Sequence, residues 1–190
     1  MIKIVTILGT IRPGNYTGKA LAIIENEIEQ HDDFQLISID PREFKLSIPG
    51  SNIDGSDSKH LQTLIEECTG LVISTPEYHG SYSSLIKMVI ENLGFPSTLS
   101  AKPVALLGVA AGQIGAIKAL EHLRSVLSHV GAIVLPGPVS IANVQAVFDK
   151  EGNCLDDKVE KRLRGSATGL MDYIRGSICP KIALEAMVRE

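Results

Sequence analysis

Cysteine is scarce in this chain and never paired. Cys68, Cys154 and Cys179 lie far apart, and no Cys-x-x-Cys occurs. Such spacing supplies neither a zinc site nor a dithiol redox motif. The odd count favours free thiols in a reducing compartment, and Cys68 and Cys154 read as packing or loop residues. Long apolar runs are also missing: no stretch reaches the ~20 apolar residues of a membrane span. The first residues enter a strand pattern at once, without the basic and apolar regions of a secretory signal. The expectation is a cytoplasmic protein that does not engage a membrane. Basic clusters are absent too. The 18 Lys and Arg residues are spread out and the formal net charge is -4. Nucleic acid is therefore not expected as the main ligand, since phosphate neutralisation needs clustered positive charge.

What is present suits one domain spanning residues 1–190, with ample apolar material for a core: 44% of the 190 residues are hydrophobic. Five short apolar runs, at 2–8, 34–39, 71–74, 104–109 and 132–135, are continuous rather than alternating. That is the pattern of strands buried on both faces of a parallel sheet. Between and after them lie helical patterns. Ala20, Leu21, Ile23, Ile24 and Ile28 mark the first, Leu61, Leu64, Ile65 and Cys68 the second, and Leu85, Met88, Val89 and Leu93 the third. A long fourth runs from Ile117 to Val130, and a fifth carries Val159, Leu163, Ala167, Leu170 and Ile174. Strand–helix alternation implies right-handed crossovers and a three-layer α/β sandwich. Five strands fit the order 2-1-3-4-5 better than a six-stranded dinucleotide-binding sheet. Residues 41–57 are polar, rich in Pro, Gly and Ser, and read as a loop. Pro136-Gly137-Pro138 is a second break, with an irregular stretch expected through Gly152. Residues 180–190 suggest a short helix extending beyond the domain toward a partner subunit.

Three unusual loops follow strands 1, 3 and 4, which end side by side at the topological switch point, where open α/β sheets bind ligands. The first is Gly9-Thr10-Ile11-Arg12-Pro13-Gly14-Asn15-Tyr16-Thr17. Glycine permits close backbone approach, and the hydroxyls, the following helix N-terminus and the Arg12 fork suit a phosphate. It is neither a Walker motif nor Gly-x-Gly-x-x-Gly, which argues against ATP hydrolysis and a standard dinucleotide fingerprint. The second is Pro76-Glu77-Tyr78-His79-Gly80-Ser81. Its backbone groups suit the edge of a heteroaromatic ring, with Tyr78 and His79 as walls. Glu77 reads as a residue that orients the loop rather than a general base, because no paired acid lies nearby. The third is Ala110-Ala111-Gly112-Gln113-Ile114-Gly115, whose small residues would let a flat ring rest against backbone at the positive end of the fourth helix. Each loop alone is also compatible with an ordinary strand–helix connection. Together they indicate a phosphorylated flat ligand.

These motifs resemble the NAD(P)H-dependent FMN reductases, a flavodoxin-like group that includes small quinone and azo-dye reductases. The resemblance rests on Gly9-Thr10-Ile11-Arg12, on Pro76-Glu77-Tyr78-His79-Gly80 with the following Leu85-Ile86-Lys87, and more loosely on Gly112-Gln113-Ile114-Gly115 with Gly131-Ala132-Ile133-Val134. It covers about the first 140 residues. It implies FMN as cofactor and NADPH or NADH as cosubstrate. Thr10, Arg12, Asn15, Tyr16 and Thr17 would then hold the phosphate, with Gly9 at the turn. Pro76, Glu77, Tyr78, His79 and Gly80 would line the ring, and Gly112 and Gln113 its pyrimidine end. Hydride would pass from the nicotinamide to FMN and on to free flavin, a quinone or an azo compound by a ping-pong mechanism, with no side chain as nucleophile. A homodimer or homotetramer is implied as well. His79 stands where the family often has Asn, and Ser81-Tyr82-Ser83-Ser84 replaces a small-Pro-Gly turn. The rival readings are an FMN electron carrier without nicotinamide activity and a binding module without flavin.

Overall fold

The computed structural model describes residues 1–51 and 55–189. Strands β1 (Ile2–Ile7), β2 (Phe34–Ile39), β3 (Gly70–Pro76) and β4 (Pro103–Val109) run parallel in the order β2-β1-β3-β4. The fifth position is shared by two segments. β5 (Ile133–Val134) pairs with the start of β4, and β6 (Val139–Ile141) pairs with its end, both in parallel. The order 2-1-3-4-5 is thus realised. Pro136 and Pro138 have no N–H to donate, and Gly137 turns the chain at φ 74°, so the strand is interrupted there and resumes.

The helices are α1 (Tyr16–Glu29), α2 (Ser58–Glu67), α3 (Ser84–Glu91), α4 (Ile117–His129), the short α5 (Val144–Val147), α6 (Asp157–Tyr173) and α7 (Cys179–Arg189). The stretch expected to be irregular through Gly152 therefore holds β6 and α5. The polar segment at 41–57 carries a 3-10 turn at Pro41–Glu43; residues 52–54 within it lie outside the described residues, as does residue 190.

Side-chain alternation along the strands divides the core into two layers. Ile4, Val72, Ala105 and Leu107 join the α1 and α6 residues Ile24, Ile28, Leu163 and Leu170. Val5, Ile73, Val104 and Leu106 join Leu61, Ile65, Ile86 and Leu123 of α2, α3 and α4. All seven residues of β3 and of β4 are buried, as central parallel strands covered on both faces require. Each fully buried Ile or Leu contributes about 1.5–3 kcal/mol of transfer free energy. Cys68 belongs to the second layer, and burial pushes its thiol up to about 11. It is an inert packing residue.

α6 and α7 form one continuous helical run joined by a π-turn at Ile174–Ile178, where the Cys179 N–H reaches back to the Ile174 carbonyl. Pro180 has no N–H for the regular ladder and its ring would crowd the carbonyl four residues earlier. The wider turn just before it lets the helix continue. Ile182, Leu184, Met187 and Val188 of α7 are exposed. Among the described residues, no helix is long and apolar enough to cross a membrane.

Candidate active site

The carboxyl ends of β1, β3 and β4 open into one cleft with two halves. The first half, about 430 Å³, is lined by residues 12–17, 76–78, 109–111 and 144–145. The second, about 320 Å³, is lined by Glu77, His79, Gly80 and residues 110–115. Glu77, Ala110 and Ala111 belong to both. A neighbouring apolar cleft of about 560 Å³ lies beside the first half, lined by residues 9–12, Ile48, Tyr78 and the start and outer face of α3. Arg12 and Tyr78 line both, so their stack is the partition. The guanidinium carbon sits 4.7 Å from the Tyr78 ring centroid, within the range of a cation–π contact.

The first loop is built around the start of α1. Asn15 is the N-cap: its side-chain oxygen accepts from the Gly18 N–H at 2.6 Å, and its amide donates to the Arg12 carbonyl at 2.7 Å. Both ends of that side chain are committed to closing the loop. The first turn of α1 contains no acidic residue, so the positive end of the helix is uncompensated. Arg12, Tyr16 and Thr17 converge on it within the same half of the cleft. Thr10 is buried, accepts from the Arg12 N–H and contacts the Tyr78 hydroxyl at 3.5 Å. Gly9 and Thr10 thus stand behind the Arg12–Tyr78 partition and line the neighbouring cleft. At Gly9 an added Cβ would lie 2.0 Å from the Ser74 carbonyl oxygen. What requires glycine there is the close passage of β3.

The second loop is a two-residue hairpin turn. Tyr78 and Ser81 exchange both backbone hydrogen bonds, at 2.9 and 3.1 Å. The central residues His79 and Gly80 have φ of 51° and 75°. Positive φ at both central positions defines a type I′ turn, which favours Asn-Gly above other pairs. An Asn would suit this backbone conformation, and His79 occupies the position at some strain. The segment Ser81-Tyr82-Ser83-Ser84 leads into α3 through a serine cap. Ser83 caps α3 by accepting from the Ile86 N–H at 3.2 Å, and its hydroxyl donates to the Gly9 carbonyl at 2.6 Å. Thr75 Oγ1 accepts from the Ser83 N–H, while the Ser74 hydroxyl donates to the Ile7 carbonyl. These three buried hydroxyls clamp the first and second loops together. Sequence reasoning missed their roles because the Ile7 and Gly9 carbonyls that Ser74 and Ser83 reach lie 67 and 74 residues away in the chain.

The third loop is held from two sides. Glu77 reaches across to α4, where its carboxylate accepts from the Ala119 N–H at 3.1 Å. Opposite, Asn143, left-handed at φ 45°, donates its N–H to the Gly112 carbonyl, and the Val144 N–H donates to the Ala110 carbonyl. The β6–α5 connection thereby brings Val144 and Gln145 into the cleft wall. Both lay in a stretch whose sequence suggested no structure. At Gly112 a Cβ would meet nothing within 4 Å; the backbone there faces open cleft. Among the described residues, the Gly112 and Gln113 N–H groups have no protein acceptor.

This arrangement fits FMN. A phosphate is suited to the Arg12 and α1 half, and a flat ring to the small-residue slot between the His79–Gly80 turn and the 110–115 loop, with unpaired N–H groups at its far end. Among the described residues, no group of three His, Cys, Asp or Glu side chains could hold a metal ion. A separate concavity of about 300 Å³ between the broken fifth strand and α6 has Arg162 as its one charged lining residue, and none of the three loops reaches it.

Comparison with known proteins gives the same picture. The profile of the NADPH-dependent FMN reductase family matches residues 2–146. An NAD(P)H-dependent FMN reductase of Pseudomonas aeruginosa is 29% identical, covering 92% of this chain and 96% of that protein. An NADPH azoreductase of a Bacillus species is 41% identical over 81 residues, 43% of this chain and 45% of that one. Among solved structures, the flavoenzyme NAD(P)H:(acceptor) oxidoreductase FerB of Paracoccus denitrificans superposes with a TM-score of 0.76 at 23% identity, covering 92% of this chain and 98% of that one. An archaeal flavodoxin superposes at 0.59 with 14% identity, covering 92% and 99%. A reductase and a flavodoxin both superpose on this chain, so fold alone does not separate reductase from carrier; the family match does. It carries the oxidoreductase class, FMN as cofactor and a reduced nicotinamide as reductant. The chain belongs to the NADPH-dependent FMN reductase family.

Proposed function

We propose that this enzyme passes reducing equivalents from NADPH or NADH, through FMN held in the cleft, to a small acceptor such as free flavin, a quinone or an azo compound. The observation that carries the reading is the union, in one cleft, of an anion-binding helix start bearing Arg12 with a flat slot walled by backbone. Arg12, Tyr16 and Thr17 bind the phosphate, and Asn15 holds their loop in shape. Pro76, Glu77, Tyr78, His79 and Gly80 form one wall. Gly112 and Gln113 offer N–H groups to the pyrimidine end, where negative charge develops on reduction. The bound flavin supplies the redox chemistry, accepting a hydride and passing two electrons on; the protein binds, orients and tunes it. No side chain acts as nucleophile. With both substrates using one cleft, a ping-pong order follows. The similarity to proteins named as azoreductases supports an azo compound among the acceptors. The assembly is a homodimer or homotetramer.

The test is an anaerobic visible spectrum of the FMN-loaded protein before and after NADPH, then NADH. Prompt bleaching of the flavin band is the expected result, followed by recovery on adding a quinone. Uptake of FMN without bleaching by either nucleotide would instead indicate an electron carrier.

A further inference from the structure

We propose that Lys118 and His122 form a receiving face for a phosphate of the reducing dinucleotide, at the outer rim of the cleft. The inference rests on the reading of the cleft as a flavin and nicotinamide site. Lys118 and His122 lie four residues apart on α4 and share one face of it. Both are exposed. The tip of the second loop is seated against them. The Lys118 side chain passes 3.7 Å from where a Gly80 Cβ would stand, and His122 Nδ1 lies 3.1 Å from the Ser81 hydroxyl. His79 and Gly80 line the slot itself. A ligand that stacks in the slot and runs outward over this rim therefore arrives at Lys118 within the width of one residue.

The charges nearby make this pair distinctive. Lys19 spends its ammonium on the Asp149 and Lys150 carbonyls. Lys87 is paired with Glu91, and Arg12 is stacked on Tyr78. Among the described residues, Lys118 makes neither an ion pair nor a hydrogen bond. Of the local acids, Glu77 is engaged by the Ala119 N–H, and Glu121 forms no ion pair among the described residues. The contact with Ser81 fixes the His122 ring and leaves its Nε2 for a ligand. An ammonium and an imidazole side by side on one rim suit a phosphate better than a single carboxylate. His79, exposed and held left-handed at φ 51°, adds a further imidazole beside them.

A nicotinamide dinucleotide offers two such groups: the pyrophosphate common to NADH and NADPH, and the 2′-phosphate of NADPH alone. Calorimetric titration of the FMN-loaded protein with the oxidised nucleotides, which cannot reduce it, separates them. NADP⁺, NAD⁺, adenosine 2′,5′-bisphosphate and ADP are titrated into wild type, Lys118→Ala, Lys118→Arg and the double variant Lys118→Ala with His122→Gln. Lys118→Ala is expected to weaken NADP⁺ about tenfold, the effect of losing one charged hydrogen bond, with Lys118→Arg restoring most of it. A loss confined to NADP⁺ and the bisphosphate assigns the 2′-phosphate; an equal loss for NADP⁺, NAD⁺ and ADP that spares the bisphosphate assigns the pyrophosphate. Unchanged affinities in the double variant overturn the proposal while leaving the reductase reading intact. Wild-type protein that binds neither oxidised nucleotide overturns the proposal alone if NADPH or NADH still bleaches its flavin, and both readings if neither does.

Discussion

The Glu77 carboxylate, in the second loop of the cleft, accepts a hydrogen bond at 3.1 Å from the N–H of Ala119 in the first turn of α4. α4 has no capping side chain of its own and no acid in its first turn. Glu77 is therefore a long-range cap, placing negative charge at the positive end of the helix. The same residue lines both halves of the cleft, so stability and site geometry meet in one side chain. Glu77→Ala should lower stability by about 1–2 kcal/mol, the usual cost of a lost cap, and weaken FMN binding as the second and third loops separate. Glu77→Gln keeps an acceptor oxygen and should recover most of the stability. Urea unfolding of the apoprotein and FMN titration of both variants check this; an apoprotein of wild-type stability in Glu77→Ala would remove the cap from the account.

The type I′ turn at His79-Gly80 gives a prediction of opposite signs at adjacent positions. Asn adopts left-handed backbone more readily than His, so His79→Asn should stabilise the protein by a few tenths of a kcal/mol, roughly the range of turn-compatible substitutions. Gly80→Ala places a Cβ on backbone at φ 75° and should destabilise by about 1–2 kcal/mol. The two midpoints, measured in urea at equal protein concentration, should move apart. A shift of both in the same direction would show that side-chain contacts of His79 outweigh its backbone strain.

Central elements were legible because their physics is local. β3 and β4 are buried on both faces and read as unbroken apolar runs. Arg12 and the 76–80 and 110–115 loops stand out because Gly, Pro and a fixed charge follow such runs directly. The remainder depends on pairings between distant segments. Val139-Ser140-Ile141 joins the sheet only because β4 offers it a partner beyond the Pro136-Gly137-Pro138 break. Gln145 reaches the cleft because Asn143 and Val144 donate to the Gly112 and Ala110 carbonyls. Gly9 looked like a point of approach for a ligand, yet the atom that excludes a side chain there is the Ser74 carbonyl oxygen, 65 residues away in sequence.

Several carboxylates are held below their ordinary range, which fixes the acid limb of stability. Asp33 is lowered chiefly by its side-chain hydrogen bonds from Arg175, Asp40 by Arg42, Glu67 by Lys3 and Asp149 by Asn153. A lowered folded pKa means that the folded state binds fewer protons than the unfolded one. The stabilisation is complete above the unfolded values near 3.8 for Asp and 4.5 for Glu, and is lost as pH falls through the lower folded values. Tm from circular dichroism should vary little with these groups between about pH 7 and 5.5 and fall below about pH 4.5. The pairs are exposed, so added salt should flatten the decline. An acid limb unaffected by salt would mean that other groups control it.

Arg12 stacks on Tyr78 with its guanidinium carbon 4.7 Å from the ring centroid, which keeps a fixed positive charge at the mouth of the α1 half without pairing it to a carboxylate. If it binds the FMN phosphate, its removal should discriminate by ligand. Arg12→Ala should weaken FMN by about 1.5–3 kcal/mol, the range for a charged hydrogen bond. Riboflavin has the same ring but no phosphate, and its affinity should change little. Tyr78→Leu removes the stacking surface and should weaken both ligands, because Tyr78 also lines the cleft. Quenching of flavin fluorescence measures all four combinations. An equal loss of FMN and riboflavin in Arg12→Ala would place Arg12 against the ring or in loop folding, and the phosphate would then depend on the α1 N-terminus, Tyr16 and Thr17.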